Sequence, residues 1–111
     1  MAQIRENKTK RKLKRGEIVT VTSGYQTADM IDFLGPFGFD AAWIESEHGP
    51  IDFAEIPDMT RACDLWGINS LVRVNLNAPG VIYRTLDLGA QGIVVPHINT
   101  AEEARAVVEA S

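Results

Sequence analysis

Two carboxylates and an imidazole follow a short apolar run in the first half of the chain. Glu45, Glu47 and His48 come at the end of the run that starts at Ala41, and Gly49-Pro50 then turns the chain away. An apolar run that ends in reactive side chains is typical of a buried parallel strand that reaches a functional surface. Because Glu45 and Glu47 have the same parity, both point to one face if the strand continues that far.

Two further candidate residues belong to later apolar runs. Arg73 lies within one aliphatic run and His97 follows another. One imidazole, one guanidinium and two carboxylates suit proton abstraction next to a carbonyl: Arg73 would hold a carboxylate or stabilise an enolate, and His48 would move the proton. The carboxylates could instead share a divalent metal, and Arg73 could be the buried ion-pair partner of Glu45. For His97 we expect a structural or supporting role.

Strand and helix patterns alternate along the chain in four βα units of about 25 residues each. Runs of β-branched and aliphatic residues predict strands at Ile18–Thr22, Ala41–Glu45, Ser70–Val74 and Gly92–Pro96. The predicted helices run from the N-cap Thr27 to Leu34, from the capping pair Asp52 and Glu55 to Gly67, from Asn77 to about Gly89, and onward from the capping box of Thr100 and Glu103. This alternation predicts parallel strands joined by right-handed crossovers. Trp43 and Trp66 are expected in the core.

A (β/α)₈ barrel is favoured over an open doubly wound sheet. No glycine-rich phosphate motif follows the first strand, and polar residues stand at the carboxyl ends of the strands, where barrels build active sites. A barrel takes about 250 residues, whereas the chain has 111. The predicted fold is therefore α/β, comprising the first four βα units of a (β/α)₈ TIM barrel over residues 17–111, preceded by a short basic N-terminal helix in residues 1–16.

Composition and charge argue against several classes of protein. The net charge is −4, yet seven of the eleven basic residues precede residue 16. This basic leader lacks interleaved aromatic residues and adjoins an acidic body, so a solvated helix is favoured over a nucleic-acid arm. No apolar run approaches the roughly 20 residues of a membrane helix. The single cysteine, Cys63, cannot form an internal disulfide and is expected to be buried, which favours a cytoplasmic protein.

Taken in order, these motifs resemble the HpcH/HpaI aldolase family of class II, metal-dependent pyruvate aldolases, which is related more distantly to the citrate lyase β subunit. The resemblance runs from about residue 16 to the end of the chain. Its segments are Gly38-Phe39-Asp40, Trp43-Ile44-Glu45-Ser46-Glu47-His48-Gly49-Pro50, Leu71-Val72-Arg73-Val74, Leu86-Asp87-Leu88-Gly89-Ala90-Gln91-Gly92, Val94-Val95-Pro96 and Thr100-Ala101-Glu102-Glu103-Ala104. The Glu-His-Gly-Pro core, with the arginine of strand three in register, is its most specific part.

The resemblance implies a barrel that cleaves 4-hydroxy-2-oxo acids to pyruvate and an aldehyde, or joins them in reverse. It implies that His48 acts as an acid/base in a pair with Asp87. It also implies that Arg73 binds the 2-oxo acid and stabilises its enolate. Glu47 is expected near a water molecule bound to the metal of the family enzymes. Glu45 stands where the family usually has an aspartate. Asp87 ends a helix that leads back to the amino-terminal face of its own barrel, so the aspartate of this pair could come from a neighbouring subunit.

The resemblance also implies Mg²⁺ or Mn²⁺, held by a glutamate and an aspartate from the later half of the barrel. Direct metal ligands are therefore expected to be absent from this chain, which we interpret as a truncated and by itself inactive portion of a homo-oligomeric enzyme. Three alternatives stay open. They are an acyl-CoA lyase of the citrate lyase β group, a non-catalytic half-barrel that assembles with itself or a second chain, and a nucleic-acid binder that uses residues 5–15.

Overall fold

A computed structural model describes residues 4–111, so the first three residues of the predicted leader lie outside it. Its four strands are β1 (Val21–Tyr25), β2 (Ala41–Glu45), β3 (Asn69–Arg73) and β4 (Gly92–Val94). Its helices are α1 (Lys8–Lys14), α2 (Ala28–Leu34, continued by a 3₁₀ turn at Gly35–Phe37), α3 (Ile56–Trp66), α4 (Pro79–Asp87) and α5 (Ala101–Ala110). The order of elements confirms the predicted α/β repeat with a basic helix ahead of it.

All four strands are parallel and lie side by side in chain order. Along β2 and β3 the pairing is regular, with Glu45 beside Arg73, and Arg73 in turn lies beside Val94 of β4. The carboxyl ends of the strands therefore meet at one edge of the sheet. Sequential parallel strands joined by helices are the arrangement expected for the first half of a (β/α)₈ barrel.

One face of the sheet packs against the helices and carries the core. Ile44 of β2 and Val72 of β3 are fully buried there, together with side chains from the helices: Ile31, Ile56, Met59, Cys63 and Ile82. Burial raises the pKa of the Cys63 thiol to about 12, in agreement with the expectation that this cysteine is buried. The opposite face of the sheet, which includes Trp43 and Leu71, is only partly covered.

The predicted position of the first strand was wrong by three residues. Ile18–Thr22 is rich in β-branched residues, yet Ile18 is 84% exposed and the strand begins only at Val21. The side chain of Asp40 accepts the backbone N–H of Thr20 at 2.8 Å, so this N–H forms no ladder bond. Pairing starts one residue later, because intrinsic β-propensity does not decide which residues find a partner strand.

The helix boundaries agree with the predicted capping residues in some places and not in others. Thr27 caps α2, and Thr100 and Glu103 form the predicted capping box of α5. In contrast, α3 starts at Ile56, because Glu55 accepts the N–H of Asp52 at 2.8 Å in a turn ahead of the helix. At the fourth helix, Ala78 rather than Asn77 occupies the N-cap. Strand β3 begins one residue earlier than predicted and β4 ends two residues earlier.

Helix α1 and residues 4–7 ahead of it dock at the amino-terminal end of the sheet. Asn69, the first residue of β3, accepts the N–H of Thr9 at 2.8 Å and donates to Gln91 at 2.6 Å. Lys12 forms an ion pair of 2.9 Å with Asp40. The basic helix is thus held at the edge opposite to the carboxyl ends of the strands. Within residues 4–111, no helix combines the length and the apolar character needed to cross a membrane.

Candidate functional site

The candidate site lies at the carboxyl ends of β2, β3 and β4. Glu45 is the last residue of β2 and Arg73 the last residue of β3, and the two are register partners. Their side chains share the face of the sheet that the helices leave open, since Ile44 and Val72 take the helical side. The register of β2 and β3 therefore places a carboxylate and a guanidinium next to each other on neighbouring strands.

Arg73 binds both carboxylates of the β2 end. Its Nε donates to Oε1 of Glu45 at 2.9 Å, while its Nη2 donates to Oε2 of the same side chain. Its Nε also lies 3.2 Å from Oε2 of Glu47. This forked pairing lowers the pKa of Glu45 from 4.5 to about 2 and raises the pKa of Arg73. An ion pair of Glu45 and Arg73 is thus present, although both side chains are partly exposed rather than buried.

Glu47 is the residue that joins the other groups of the site. Its side chain is 8% exposed, and its Oε1 lies 2.9 Å from Nε2 of His97 and 3.4 Å from Nε2 of His48. Its backbone N–H donates to Oε1 of Glu45 at 2.9 Å. One carboxylate therefore contacts a guanidinium and two imidazoles that come from three different loops or strands.

The loop after β2 sets the positions of Glu47 and His48. The N–H of Ser46 donates to the carbonyl of Arg73 at 2.9 Å, which extends the pairing one residue beyond the strand. The chain then folds back so tightly that a Cβ on Gly49 would lie 2.7 Å from the carbonyl oxygen of Glu45. Glycine is needed here because the backbone of the loop passes directly over the strand end.

The structure brings most of the predicted site residues together, with one exception. Glu45, Glu47, His48 and Arg73 lie in one cluster, and His97 joins them through Glu47. Both glutamates reach the same guanidinium, but β2 ends at Glu45, so the loop rather than strand parity directs Glu47 there. The side chain of His48 is 74% exposed at the rim, so one side of its ring is open to a further partner.

Asp87 is not part of this cluster. It is the exposed last residue of α4, and the carbonyl of the next residue, Leu88, accepts a hydrogen bond from Thr60 at 2.8 Å. The following turn contacts Ser70 near the start of β3, whereas Arg73 ends that strand. Within one chain, Asp87 therefore lies towards the opposite end of the sheet from His48, and its pairing with His48 stays a prediction for a neighbouring subunit.

Two tryptophans expected in the core are not fully buried. The Trp43 ring centroid lies 5.7 Å from Cζ of Arg73, so this ring borders the site. Trp66 is 42% exposed and donates from its indole to Asp32 at 3.0 Å. The sequence did indicate the position of Trp43, because Trp43 has the same parity as Glu45 and therefore lies on the same face of the sheet.

The residues at the site do not fit the direct ligand set of a divalent metal. Across residues 4–111, no group of three histidine, cysteine, aspartate or glutamate side chains is arranged to hold a metal ion. The oxygens of Glu45 and Glu47 face Arg73 and the histidines instead. The alternative in which the two carboxylates share a metal is therefore disfavoured by the hydrogen bonding of both.

A cavity of about 320 Å³ opens beside Glu45 on the side of β1. Trp43 and Glu45 form one wall, and the segment Ser23–Gln26 and the loop Gly49–Ile51 form the rest. Its size and mixed lining fall within the range of small-molecule sites in proteins. The arrangement as a whole offers a cationic group, an imidazole and a cavity at one sheet edge, which suits binding of a small anion and transfer of a proton.

The chain is similar to known proteins of one enzyme family. The sequence profile of the HpcH/HpaI aldolase/citrate lyase family matches residues 22–111. A 2-dehydro-3,6-dideoxy-6-sulfogluconate aldolase of Pseudomonas putida is 38% identical over 84 residues, which cover 76% of this chain and 33% of that protein. A pyruvate aldolase of Rhizobium etli is 32% identical over 105 residues, which cover 94% of this chain and 41% of that protein.

The fold agrees as well. The crystal structure of an HpcH/HpaI aldolase from Desulfitobacterium hafniense DCB-2 superimposes with a TM-score of 0.82 at 29% sequence identity, covering 89% of this chain and 39% of that one. The chain thus spans 33% to 41% of the length of the two curated relatives. Both relatives are named aldolases, which are carbon–carbon lyases. Because the family profile matches most of the chain and the fold superimposes, the chain belongs to the HpcH/HpaI aldolase/citrate lyase family.

Proposed function

We propose that this chain forms the anion-binding and proton-transfer wall of an aldolase that cleaves 4-hydroxy-2-oxo acids to pyruvate and an aldehyde. The observation that carries the proposal is the hydrogen bonding of Arg73. A guanidinium has five N–H donors. The contacts with Glu45 and Glu47 use Nε and one hydrogen of Nη2, and within residues 4–111 Nη1 donates to no acceptor.

The open edge of Arg73 suits the carboxylate of a 2-oxo acid. Its Nη1 and the second Nη2 hydrogen can bind two carboxylate oxygens side by side, which fixes the orientation of the acid. Glu45 and Glu47 hold the guanidinium in place while it does so. Because the carboxylates of Glu45 and Glu47 both contact one guanidinium, the local charge is negative before a ligand binds. We therefore expect pyruvate alone to bind weakly.

In the proposed cleavage, His48 acts as the base. It takes the proton of the 4-hydroxyl group, the C3–C4 bond breaks, and the electron pair of that bond becomes the enolate of pyruvate while the aldehyde leaves. Return of a proton to C3 then completes pyruvate. The cavity beside Glu45 would take the aldehyde portion. We assign the divalent metal of the intact enzyme to residues outside this chain.

Binding of pyruvate to the purified chain tests the role of Arg73. We expect addition of pyruvate to shift the ¹⁵N NMR signals of Arg73 Nε and of the backbone at residues 45–49. Arg73→Lys should weaken binding about tenfold, because an ammonium group cannot form the paired hydrogen bonds. Arg84→Lys is the matched control, since Arg84 is an exposed arginine that stacks on Phe53 instead. Equal affinities of the wild type and Arg73→Lys would contradict the proposal.

A turnover assay tests where the metal ligands lie. With Mg²⁺ or Mn²⁺ and a 4-hydroxy-2-oxo acid, we expect the 111-residue chain alone to release no pyruvate. Metal-dependent release that His48→Ala abolishes would show that the chain holds its own metal, and our assignment of the ligands to residues outside it would be wrong.

A further inference from the structure

We propose that His97 is a positioning residue of the site: it holds Glu47 so that this carboxylate leaves the outer edge of Arg73 free for the carboxylate of the ligand. The proposal rests on the proposed function for its ligand, pyruvate. His97 itself contacts neither Arg73 nor His48 in the hydrogen-bond network of residues 4–111.

The two oxygens of Glu47 have different partners. Oε2 lies 3.2 Å from Nε of Arg73, whereas Oε1 lies 2.9 Å from Nε2 of His97. A carboxylate accepts hydrogen bonds, so Nε2 of His97 must carry the donated proton. Because the side chain of Glu47 is 8% exposed, water offers little substitute for this donor. His97 thus supplies the main side-chain hydrogen bond to Oε1 and fixes the rotation of the carboxylate.

The backbone of His97 is held in an unusual conformation that directs its ring to Glu47. Among residues 4–111, His97 is the one non-glycine residue with positive φ, at 58°. The side-chain amide of Asn99 donates to the backbone carbonyl of His97 at 3.2 Å, and the backbone N–H of Asn99 donates to the side chain of Glu103 at 2.6 Å. Glu103 also belongs to the capping box of α5, so a stable helix start supports the turn. Such conformations cluster at functional sites, where the surrounding structure maintains them.

The order of the strands explains why the hydrogen bond between His97 and Glu47 matters for Arg73. Strand β3 lies between β2 and β4, so a link from the loop after β4 to the loop after β2 passes over the end of β3. Arg73 lies at that end. Without His97, Glu47 can turn its second oxygen onto the guanidinium and compete with a bound carboxylate for the same donors. The hydrogen bond from His97 also draws negative charge away from the anion site.

A double-mutant cycle tests whether His97 acts through Glu47. Pyruvate affinity is measured by NMR titration for the wild type, His97→Gly, His97→Gln, Glu47→Gln and the double variant Glu47→Gln/His97→Gly. We choose glycine because it accepts positive φ without strain. We expect His97→Gly to weaken binding about fivefold, the ordinary size of a coupling between contacting groups. His97→Gln, which keeps a donor, should recover most of the loss.

The decisive result is the effect of His97→Gly in the Glu47→Gln background. If His97 acts through Glu47, the second substitution changes pyruvate affinity little there. An equal fivefold loss in both backgrounds would overturn the proposal, and so would wild-type affinity in His97→Gly. Because His97 is exposed and glycine relieves its backbone, the urea midpoint of His97→Gly should match or exceed that of the wild type, which separates loss of binding from loss of fold.

A second readout needs no ligand. The chain has two histidines, so imidazole ¹⁵N spectra give one pair of signals for each ring, assigned with His48→Gln and His97→Gln. We expect Glu47→Gln to shift the Nε2 signal of His97, whereas Glu109→Gln on the exposed side of α5 leaves it in place. If Glu47→Gln did not shift the Nε2 signal of His97, the proposed hydrogen bond between His97 and Glu47 would be wrong. If the wild type bound no pyruvate, the proposed function would fail while these spectra still decided whether His97 holds Glu47.

Discussion

At the scale of single residues, the pair of Glu45 and Arg73 dominates the electrostatics of the site. The forked hydrogen bonds of Arg73 are the largest cause of the lowered pKa of Glu45, followed by burial, which acts in the opposite direction. Both side chains keep more than a quarter of their surface in water, at 29% and 27%. Solvent screening therefore reduces the contribution of the pair to stability below what the pKa shift alone suggests.

Glu45→Gln should change how stability depends on pH. The pKa of Glu45 falls from 4.5 to about 2 on folding, so its contribution is complete above pH 4.5 and is lost as the pH drops through 2. We expect the variant to be about 1 kcal/mol less stable than the wild type at pH 7, with the difference vanishing below about pH 2. Urea unfolding at several pH values measures it, with Glu109→Gln as control. A difference that stayed constant with pH would contradict this expectation.

At the scale of elements, the loop between β2 and α3 decides the geometry of the site. It carries Glu47 and His48 and packs closely against the end of its own strand. Its sequence signal was the Gly49-Pro50 pair, which predicted a turn but not the direction of the side chains before it. The start of α3 was missed because Asp52 and Glu55 cap a separate turn rather than the helix.

Gly49→Ala should disturb this loop. The added Cβ would lie 2.7 Å from the carbonyl oxygen of Glu45, so the backbone must move, and we expect a loss of about 1–3 kcal/mol in the free energy of unfolding. Gly80→Ala is the matched control, because the nearest atom to its Cβ is the hydroxyl of Tyr83 at 3.8 Å. That change should stabilise the protein by about 0.5 kcal/mol. Urea unfolding compares the two, and equal effects would argue against crowding at Gly49.

At the scale of the whole molecule, β1 and β4 are the outer strands of the open sheet formed within residues 4–111. Each presents backbone N–H and C=O groups on one side, and the sheet face away from the helices carries apolar side chains such as Val21, which is 44% exposed. Unpaired edges next to apolar surface favour association with another chain. The alternative of a half-barrel that assembles with itself stays a prediction.

Val21→Lys should reduce self-association of the chain. We expect the wild type to show concentration-dependent association in sedimentation velocity, and a charge on the open face near the β1 edge to shift the equilibrium towards monomer by about tenfold. Val108→Lys on α5, where Val108 is 74% exposed, is the control for a general effect of added charge. If Val108→Lys dissociated the chain and Val21→Lys did not, association would run through the helical face instead.

Much of the fold and part of the site followed from the sequence alone. The alternation of strand and helix, the caps at Thr27 and Thr100 and the placement of Glu45 and Arg73 at strand ends depend on periodicity and on residues close in the chain. Such local signals can be read from the sequence without knowledge of the tertiary structure. The resemblance to the aldolase family was confirmed by the family match.

Only the tertiary structure decided which of these residues touch. Glu47 and His97 are 50 positions apart, and their contact depends on the order of three strands and on the backbone of a turn with positive φ. The distance of Asp87 from the cluster follows from the direction in which α4 returns to the start of β3 and β4. Residue type and spacing therefore determined which chemistry is available, whereas packing decided that one carboxylate joins a guanidinium to two imidazoles.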